Sequence, residues 1–162
     1  MISIFGIISV LVAFFSIAAI VLHNRVMSKR TPVDTYLTQL EDLLRDRLVA
    51  LYHLSPHDSE LHDLCDQYMD LDLSAIAGAL PDIHRASKAD LHINAPEEWE
   101  AQESSDRLET LAQNAEAIQE TAAALNQAIQ VYNGFITGRP PMAAMAYILG
   151  LTVEEPITYP FE

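Results

Sequence analysis

The chain has 162 residues, half of them hydrophobic, and carries 23 acidic against nine basic side chains, a net charge of −14 at pH 7. Three of the basic residues, Arg25, Lys29 and Arg30, follow an apolar N-terminus, so the rest of the chain holds six basic and 23 acidic residues. Such an acidic surface repels phosphate backbones, which excludes nucleic acid as a partner. Five glycines among abundant Ala and Leu favour an all-α fold over a β fold.

The N-terminal segment from Ile2 to Leu22 contains no charged side chain. As a helix it extends roughly 31 Å at ~1.5 Å per residue, which matches the hydrocarbon core of a bilayer. A cleavable signal peptide is the alternative, but it has basic residues before a shorter apolar stretch and small residues at its cleavage site. Neither feature is found here. The sequence therefore predicts a retained transmembrane anchor with a basic flank over residues 1–30.

The basic flank also predicts the orientation of the anchor. Arg25, Lys29 and Arg30 lie directly after the apolar segment, and positive charges favour the cytoplasmic side of a membrane. We expect a single-pass protein of the cell (inner) membrane with its C-terminal domain in the cytoplasm.

The segment after the flank contains two helix-start patterns. Thr31-Pro32-Val33-Asp34 has an N-cap Thr, a Pro at the first helical position and an acidic residue near it, and Ser55-Pro56-His57-Asp58 repeats the pattern. One helix is predicted to end near Leu54 and a second to begin at Pro56. Their apolar faces are Val33, Leu37, Leu40, Leu44, Leu48 and Leu51 in the first, and Leu61, Leu64, Cys65 and Tyr68 in the second. A third helix, at about 75–89, is interrupted by Gly78 and Pro81.

A long helix is predicted from Asn94-Ala95-Pro96-Glu97 to the stop at Gly138 and Pro140. Its apolar seam, at alternating steps of three and four, is Leu108, Leu111, Ala115, Ile118, Ala122, Leu125, Ile129, Tyr132 and Ile136. This spacing is typical of coiled-coil packing. A short apolar helix at 141–149 with Gly150 as its C-terminal cap should cover the bundle or graze the membrane interface, and the tail at 152–162 should be extended. Short loops between long helices predict an elongated antiparallel bundle over 31–151.

One cluster has residue types that bind zinc: His57, Asp58, Glu60, His62, Asp63, Cys65 and Asp66. On a helix, two histidines five residues apart are rotated by ~140° and do not face one another. We therefore expect no metal and no cofactor, and interpret the polar residues as a solvated helix start. A membrane-bound metal-dependent hydrolase using this cluster is the alternative function. No nucleophile elbow or phosphate-binding loop is present in the sequence, so no catalytic residue is predicted.

The C-terminal part of the chain carries a repeated pair, Leu125-Asn126 and Tyr132-Asn133, followed by Pro140, an apolar stretch and the terminal Phe161-Glu162. This pattern resembles the LemA family, in which a Tyr-Asn repeat precedes a Pro, a short apolar helix and a closing Phe-Glu. Asn24 and Val26 match residues that follow the transmembrane helix in that family. The resemblance implies an N-terminal anchor, an antiparallel bundle of long helices and no agreed enzymatic activity.

Asn126, Tyr132, Asn133 and Pro140 are therefore the candidate structural or interaction residues. Asn126 and Asn133 share one face beside the seam, where a partly buried amide sets helix register by requiring a partner. Peptide recognition by the same pair is the other interpretation. We expect a non-catalytic, membrane-anchored scaffold or adaptor. Its expected partners are the lipid bilayer and unidentified membrane or cytoplasmic proteins, with a homo-oligomer as a further option.

Overall fold

The computed structural model describes residues 4–55, 57–93, 101–138 and 140–157. These residues form five α-helices and, within those ranges, no strand: α1 Ile4–Leu54, α2 Glu60–Tyr68, α3 Leu73–Ile93, α4 Ala101–Thr137 and α5 Pro140–Ile148. The predicted all-α class is confirmed. The described residues divide into two compact units, a first unit within 1–35 and 125–156 and a second unit within 36–124 and 157–162. Helices α1 and α4 contribute residues to both.

Helix α1 continues through the helix start that the sequence predicts at Thr31, and that prediction is wrong. Pro32 lies inside the helix. The Thr31 hydroxyl does not cap a new helix but donates to the Met27 carbonyl at 2.9 Å. Inside a helix, proline removes one backbone donor and clashes with the preceding turn at a cost of about 3 kcal/mol, so packing of the neighbouring turns must offset it. Val33, the next residue, is fully buried and supplies such packing.

The apolar start of α1 is long enough to cross a membrane. Among the described residues α1 is the one helix with sufficient length and apolar composition, and its most apolar segment has no buried residue. The hydroxyls of Ser9 and Ser16 donate to the carbonyls of Phe5 and Val12, four residues earlier. Such bonds satisfy these two serine side chains within the helix itself.

The first unit has a core that α1, α4 and α5 share. Its buried side chains are Val26, Val33, Leu125, Ile129, Tyr132, Ile136, Met142 and Ala146. The members on α4 follow the predicted spacing of three and four residues. Helix α5 ends at Ile148, one residue before the predicted end, and Gly150 closes it as predicted. Gly150 has φ 65°, and Leu151 N donates to Ala146 O at 2.9 Å. This is the left-handed glycine termination that closes many helices.

The second unit has its own core, in which α1 and α4 are antiparallel. The Asn114 amide donates to Leu43 O at 3.2 Å, and the Arg47 guanidinium donates to Leu111 O at 3.1 Å, so ascending positions on α1 meet descending positions on α4. The buried seam positions of α4 in the second unit are Leu111, Ile118 and Ala122, and the seam position Leu125 is buried in the first unit. The structure does not describe the side chain of the seam residue Leu108. The helix start predicted at 94–97 lies outside the described residues.

Helix α2 begins at Glu60 and not at Pro56, so this predicted boundary is wrong. The N-cap is Ser59, whose hydroxyl accepts from His62 N at 3.2 Å. Ser55 donates to Tyr52 O at 2.9 Å and thus belongs to the end of α1. Helix α3 runs through Gly78 and Pro81, which the sequence predicted as interruptions, and the Asp72 carboxylate accepts from Ala75 N at its start.

Candidate functional site

The clearest polar arrangement in the first unit is the bond between Asn133 and the backbone after α5. Asn133 Nδ2 donates to Glu154 O at 2.8 Å, and Glu154 N donates to Asn133 Oδ1 at 3.0 Å. One amide side chain therefore satisfies both polar groups of a residue that lies outside any helix. Asn133 is half-buried and bonded, but its partner is the backbone of Glu154 and neither another helix nor the backbone near Pro140, which the sequence predicted.

Arg30 of α1 contacts the same residue, Glu154, through its side chain. Its guanidinium lies 3.5 Å from the Glu154 carboxylate and 3.5 Å from that of Asp34, one turn further along the helix. The guanidinium carbon is also 6.0 Å from the centre of the Tyr132 ring. The Arg30 and Glu154 side chains are each about one third exposed, so the pair contributes about 0.2–1 kcal/mol. We call Arg30, Tyr132, Asn133 and Glu154 the junction.

Tyr132 supplies the buried part of the junction. Its side chain is 0% exposed, and its hydroxyl has no hydrogen-bond partner among the described residues. A buried hydroxyl without a partner loses its hydration and gains nothing in return. Tyr132 therefore stabilises the first unit through its ring, which packs in the core, and not through its hydroxyl.

The two asparagines that the sequence selected border one groove. The groove has a volume of about 630 Å³ and is lined by Asn126, Ile129, Gln130, Asn133, Gly134, Thr137, Val153 and Pro156. Asn126 is half-buried, one heptad before Asn133 on the same side of α4. Pro140 is exposed at the start of α5 and is not one of these lining residues. The structure thus brings Asn126, Tyr132 and Asn133 to one region and leaves Pro140 at a helix boundary.

The three basic residues that predict orientation differ in how far their side chains are exposed. Arg25 and Lys29 are exposed, whereas Arg30 is partly covered by its contacts in the junction. Only Arg25 and Lys29 therefore present their charges freely to the surroundings of α1.

The histidines of the second unit form a contact that helix geometry had excluded. His57 Nδ1 lies 3.4 Å from His62 Nε2, and His62 stacks on Tyr52 with ring centres 4.1 Å apart. The exclusion was wrong because His57 precedes the Ser59 cap, and the rotation per residue of a helix does not apply to it. Ser55 uses its one hydroxyl proton on Tyr52 O, so His62 Nδ1 donates to Ser55 Oγ at 3.1 Å.

The remaining members of the cluster do not join the histidines. Asp58, Glu60, Asp63 and Asp66 are exposed. Cys65 is buried, which raises the pKa of its thiol to about 11 and keeps it protonated at neutral pH. Within the part of the chain that the structure describes, no three His, Cys, Asp or Glu side chains are grouped so as to hold a metal ion.

Two polar residues of the second unit were missed by sequence reasoning. Arg47 is largely buried, which lowers the pKa of its guanidinium, and it donates to Leu111 O. Asn114 is half-buried and donates to Leu43 O. The signal was present, because Arg47 interrupts the apolar stripe between Leu44 and Leu48, and Asn114 lies between Leu111 and Ile118 of the seam.

Comparison of the chain with protein-family models, with curated proteins and with solved structures finds no match.

Proposed function

We propose that this protein is a non-catalytic, membrane-anchored helical adaptor that presents an acidic surface to protein partners at the cell membrane. The observation that carries the proposal is the continuity of α1. One helix begins with an uncharged, solvent-exposed apolar segment and continues into the buried core positions Val26 and Val33 of the first unit. A helix of this kind couples a membrane anchor directly to a folded domain.

The negative charge of the domain supports a protein partner with a basic surface. Beyond Arg30 the chain holds six basic and 23 acidic residues, and acidic side chains on α4 such as Glu109, Glu116 and Glu120 are exposed. Such a field attracts basic protein surfaces and repels anionic ones. The resemblance of residues 125–162 to the LemA family, which has an N-terminal anchor and a helical bundle, supports the same interpretation. Residues 158–162 of that motif lie outside the described residues.

Membrane retention is the first test. The full chain should stay in the membrane fraction after washing with high salt and at alkaline pH, with its first 22 residues still present. A mature protein that starts near Asn24 would instead identify the segment as a cleaved signal peptide. The matched control replaces Val10 and Phe14 with Asp, which should release the chain, because charged residues at the centre of a span are costly.

The orientation is tested with cysteine labelling. Cys65 is buried and reports poorly, so the label site is an exposed position, Gln119→Cys, in a Cys65→Ala background. A membrane-impermeant reagent applied to intact cells should not react with this site, whereas a permeant reagent should. Efficient labelling by the impermeant reagent would place the domain outside the cell and contradict the orientation that Arg25, Lys29 and Arg30 predict.

Partner capture tests the adaptor function. The intact protein, purified in detergent from its own membrane, should retain basic partner proteins, and the triple variant Glu109→Gln, Glu116→Gln, Glu120→Gln should lose them. The matched control changes two exposed neutral residues of α4, Gln113→Ala and Gln119→Ala. If the Glu variant retains every partner that the parent retains, the acidic face of α4 is not the binding surface.

A metal-dependent hydrolase is the alternative, and the 3.4 Å separation of the two ring nitrogens of His57 and His62 is the observation that favours it. The other ring nitrogen of His62, Nδ1, lies 3.1 Å from Ser55 Oγ, and a hydrogen bond at that nitrogen is how a metal-bound histidine is commonly oriented. A metal that binds the folded state raises its stability by mass action. A zinc-dependent increase in Tm that His57→Ala and His62→Ala abolish, and the control His53→Ala retains, would favour the hydrolase over the adaptor.

A further inference from the structure

We infer that α5 is a second membrane-contacting element, which lies in the bilayer interface beside the point where α1 leaves the lipid. The inference rests on the proposed membrane anchor. The occupant of the exposed face of α5 is then the interface of a zwitterionic phospholipid bilayer.

The composition of α5 is the first observation. The helix Pro140–Ile148 contains no charged residue. Met142 and Ala146 are buried in the first unit, but the other side exposes Tyr147 and Ile148 to 87% and 74%. Leu149, directly after the helix, is exposed as well. A helix that is apolar on both sides belongs in a protein core or in contact with lipid, and half of α5 is not in the core.

The position of α5 in the first unit is the second observation. Val26 is 0% exposed although it lies only four residues, about 6 Å along the helix, after Leu22 at the end of the uncharged segment. Of the first unit, only residues 125–156 can cover it. Arg30 lies over Tyr132, and one turn away from each of them Val26 and Ile136 are both buried. Helix α4 therefore runs along α1 toward the anchor, and α5 follows its end.

The chemistry of the exposed side chains favours lipid over a protein partner. Tyr is enriched at the level of the lipid headgroups, where its ring contacts acyl chains and its hydroxyl contacts water. A nine-residue helix is about 13 Å long, too short to cross a bilayer but suited to lie along its surface. Because α5 has no basic side chain, it has no group that selects anionic headgroups.

Fluorescence quenching in vesicles tests the inference on the full chain. Trp99 is the only tryptophan of the sequence, so Trp99→Phe gives a silent background. Tyr147→Trp, reconstituted in phosphatidylcholine vesicles that contain brominated phosphatidylcholine, should lose most of its emission and shift to shorter wavelength. The matched control is Val131→Trp, an exposed position of α4 in the same unit, which should keep its emission. Phe14→Trp reports independently on the anchor.

The outcomes separate the two proposals. Quenching at positions 14 and 147 but not at 131 supports a lipid-bound α5. Quenching at 14 without quenching at 147 overturns the inference and leaves the anchor intact. Equal quenching at 131 and 147 also overturns it, because α5 would then be no closer to the lipid than the exposed face of α4. An unquenched position 14 overturns the anchor and the inference together. If position 147 is unquenched and Tyr147→Glu with Ile148→Glu dissociates an oligomer, the face binds a second copy of the chain.

Discussion

Each of the two units places a half-buried asparagine of α4 against the backbone of another segment, but the two amides differ in the backbone groups that they bind. Asn114 in the second unit donates once to Leu43 O, a carbonyl in the middle of a helix that already accepts the helical bond. Asn133 in the first unit serves both the N–H and the C=O of Glu154, which lies in no helix. The Asn114 bond therefore supplements a satisfied backbone, whereas the Asn133 bonds replace secondary structure.

The comparison extends to the atoms that remain unbonded. Asn114 Oδ1 is buried without a hydrogen-bond partner among the described residues, so the amide that joins two helices is itself half satisfied. Both polar atoms of the Asn133 amide are bonded. An amide with an unpaired buried oxygen contributes less net free energy than one that is fully paired. The largest effects on stability should accordingly come from the junction.

Among substitutions of hydrogen-bonding and charged groups, Asn133→Ala should show the largest effect. It removes two hydrogen bonds and leaves the N–H and C=O of Glu154 without their partner, which destabilises the fold by about 1–3 kcal/mol. Urea unfolding of the full chain in detergent micelles measures this change. Gln130→Ala, an exposed position one turn earlier, is the matched control and should stay within about 0.5 kcal/mol.

The same variant also decides between structure and recognition. If Asn133→Ala unfolds at the same urea concentration as the parent but loses a partner that the parent retains, the amide is a recognition group and its structural interpretation is wrong. Asn133→Asp sharpens the result, because it keeps an acceptor for Glu154 N and removes the donor to Glu154 O.

Asn114→Ala should have a smaller effect, about 0.5–1.5 kcal/mol, because it removes one bond to a carbonyl that keeps its helical partner. Asn114→Leu should recover part of this loss by filling the space and removing the unpaired Oδ1. Unfolding of both variants under the conditions used for Asn133→Ala measures the difference. A loss for Asn114→Ala as large as that for Asn133→Ala would refute the distinction between the two units.

Arg30→Met should cost less again, within about 1 kcal/mol, since its carboxylate contacts are partly exposed and solvent screens them. The methionine supplies an unbranched side chain of similar length beside the Tyr132 ring and removes the charge. The difference from the parent should shrink as salt is raised from low to high concentration. A cost that is independent of salt would show that packing, and not charge, is what Arg30 provides.

Tyr132→Phe should be the smallest change, neutral or slightly stabilising, because the hydroxyl is buried and has no hydrogen-bond partner within the described part of the chain. Tyr132→Ala is the contrasting variant and should lose about 3–5 kcal/mol, the usual cost of truncating a buried aromatic side chain. Thermal unfolding of the pair separates ring from hydroxyl. A clear loss of Tm in Tyr132→Phe would mean that the hydroxyl has a bonding role in the folded protein.

The candidate site was predictable in part. The repeated pair Leu125-Asn126 and Tyr132-Asn133 indicated where polar groups meet the seam, because an amide beside buried apolar residues requires a partner. Nothing in the local pattern indicated Glu154 as that partner, since the two residues are 21 positions apart and one lies in a segment without helical periodicity. The contact of His57 with His62 was missed for another reason: a shift of the helix start from Pro56 to Glu60 changes which residues obey helical geometry.

The sequence by itself determined the apolar segment of α1, the all-α class, the C-terminal ends of α1 and α4 and the glycine termination at Gly150. These features depend on neighbouring residues, whose periodicity, charge and backbone preferences act within a few turns. Only the tertiary structure decided that Pro32 and Pro81 lie inside helices, that Asn133 binds the backbone of Glu154 and that the Tyr132 hydroxyl has no partner among the described residues. Each of these depends on what distant segments place against the residue, and packing against such segments offsets local preferences of a few kcal/mol.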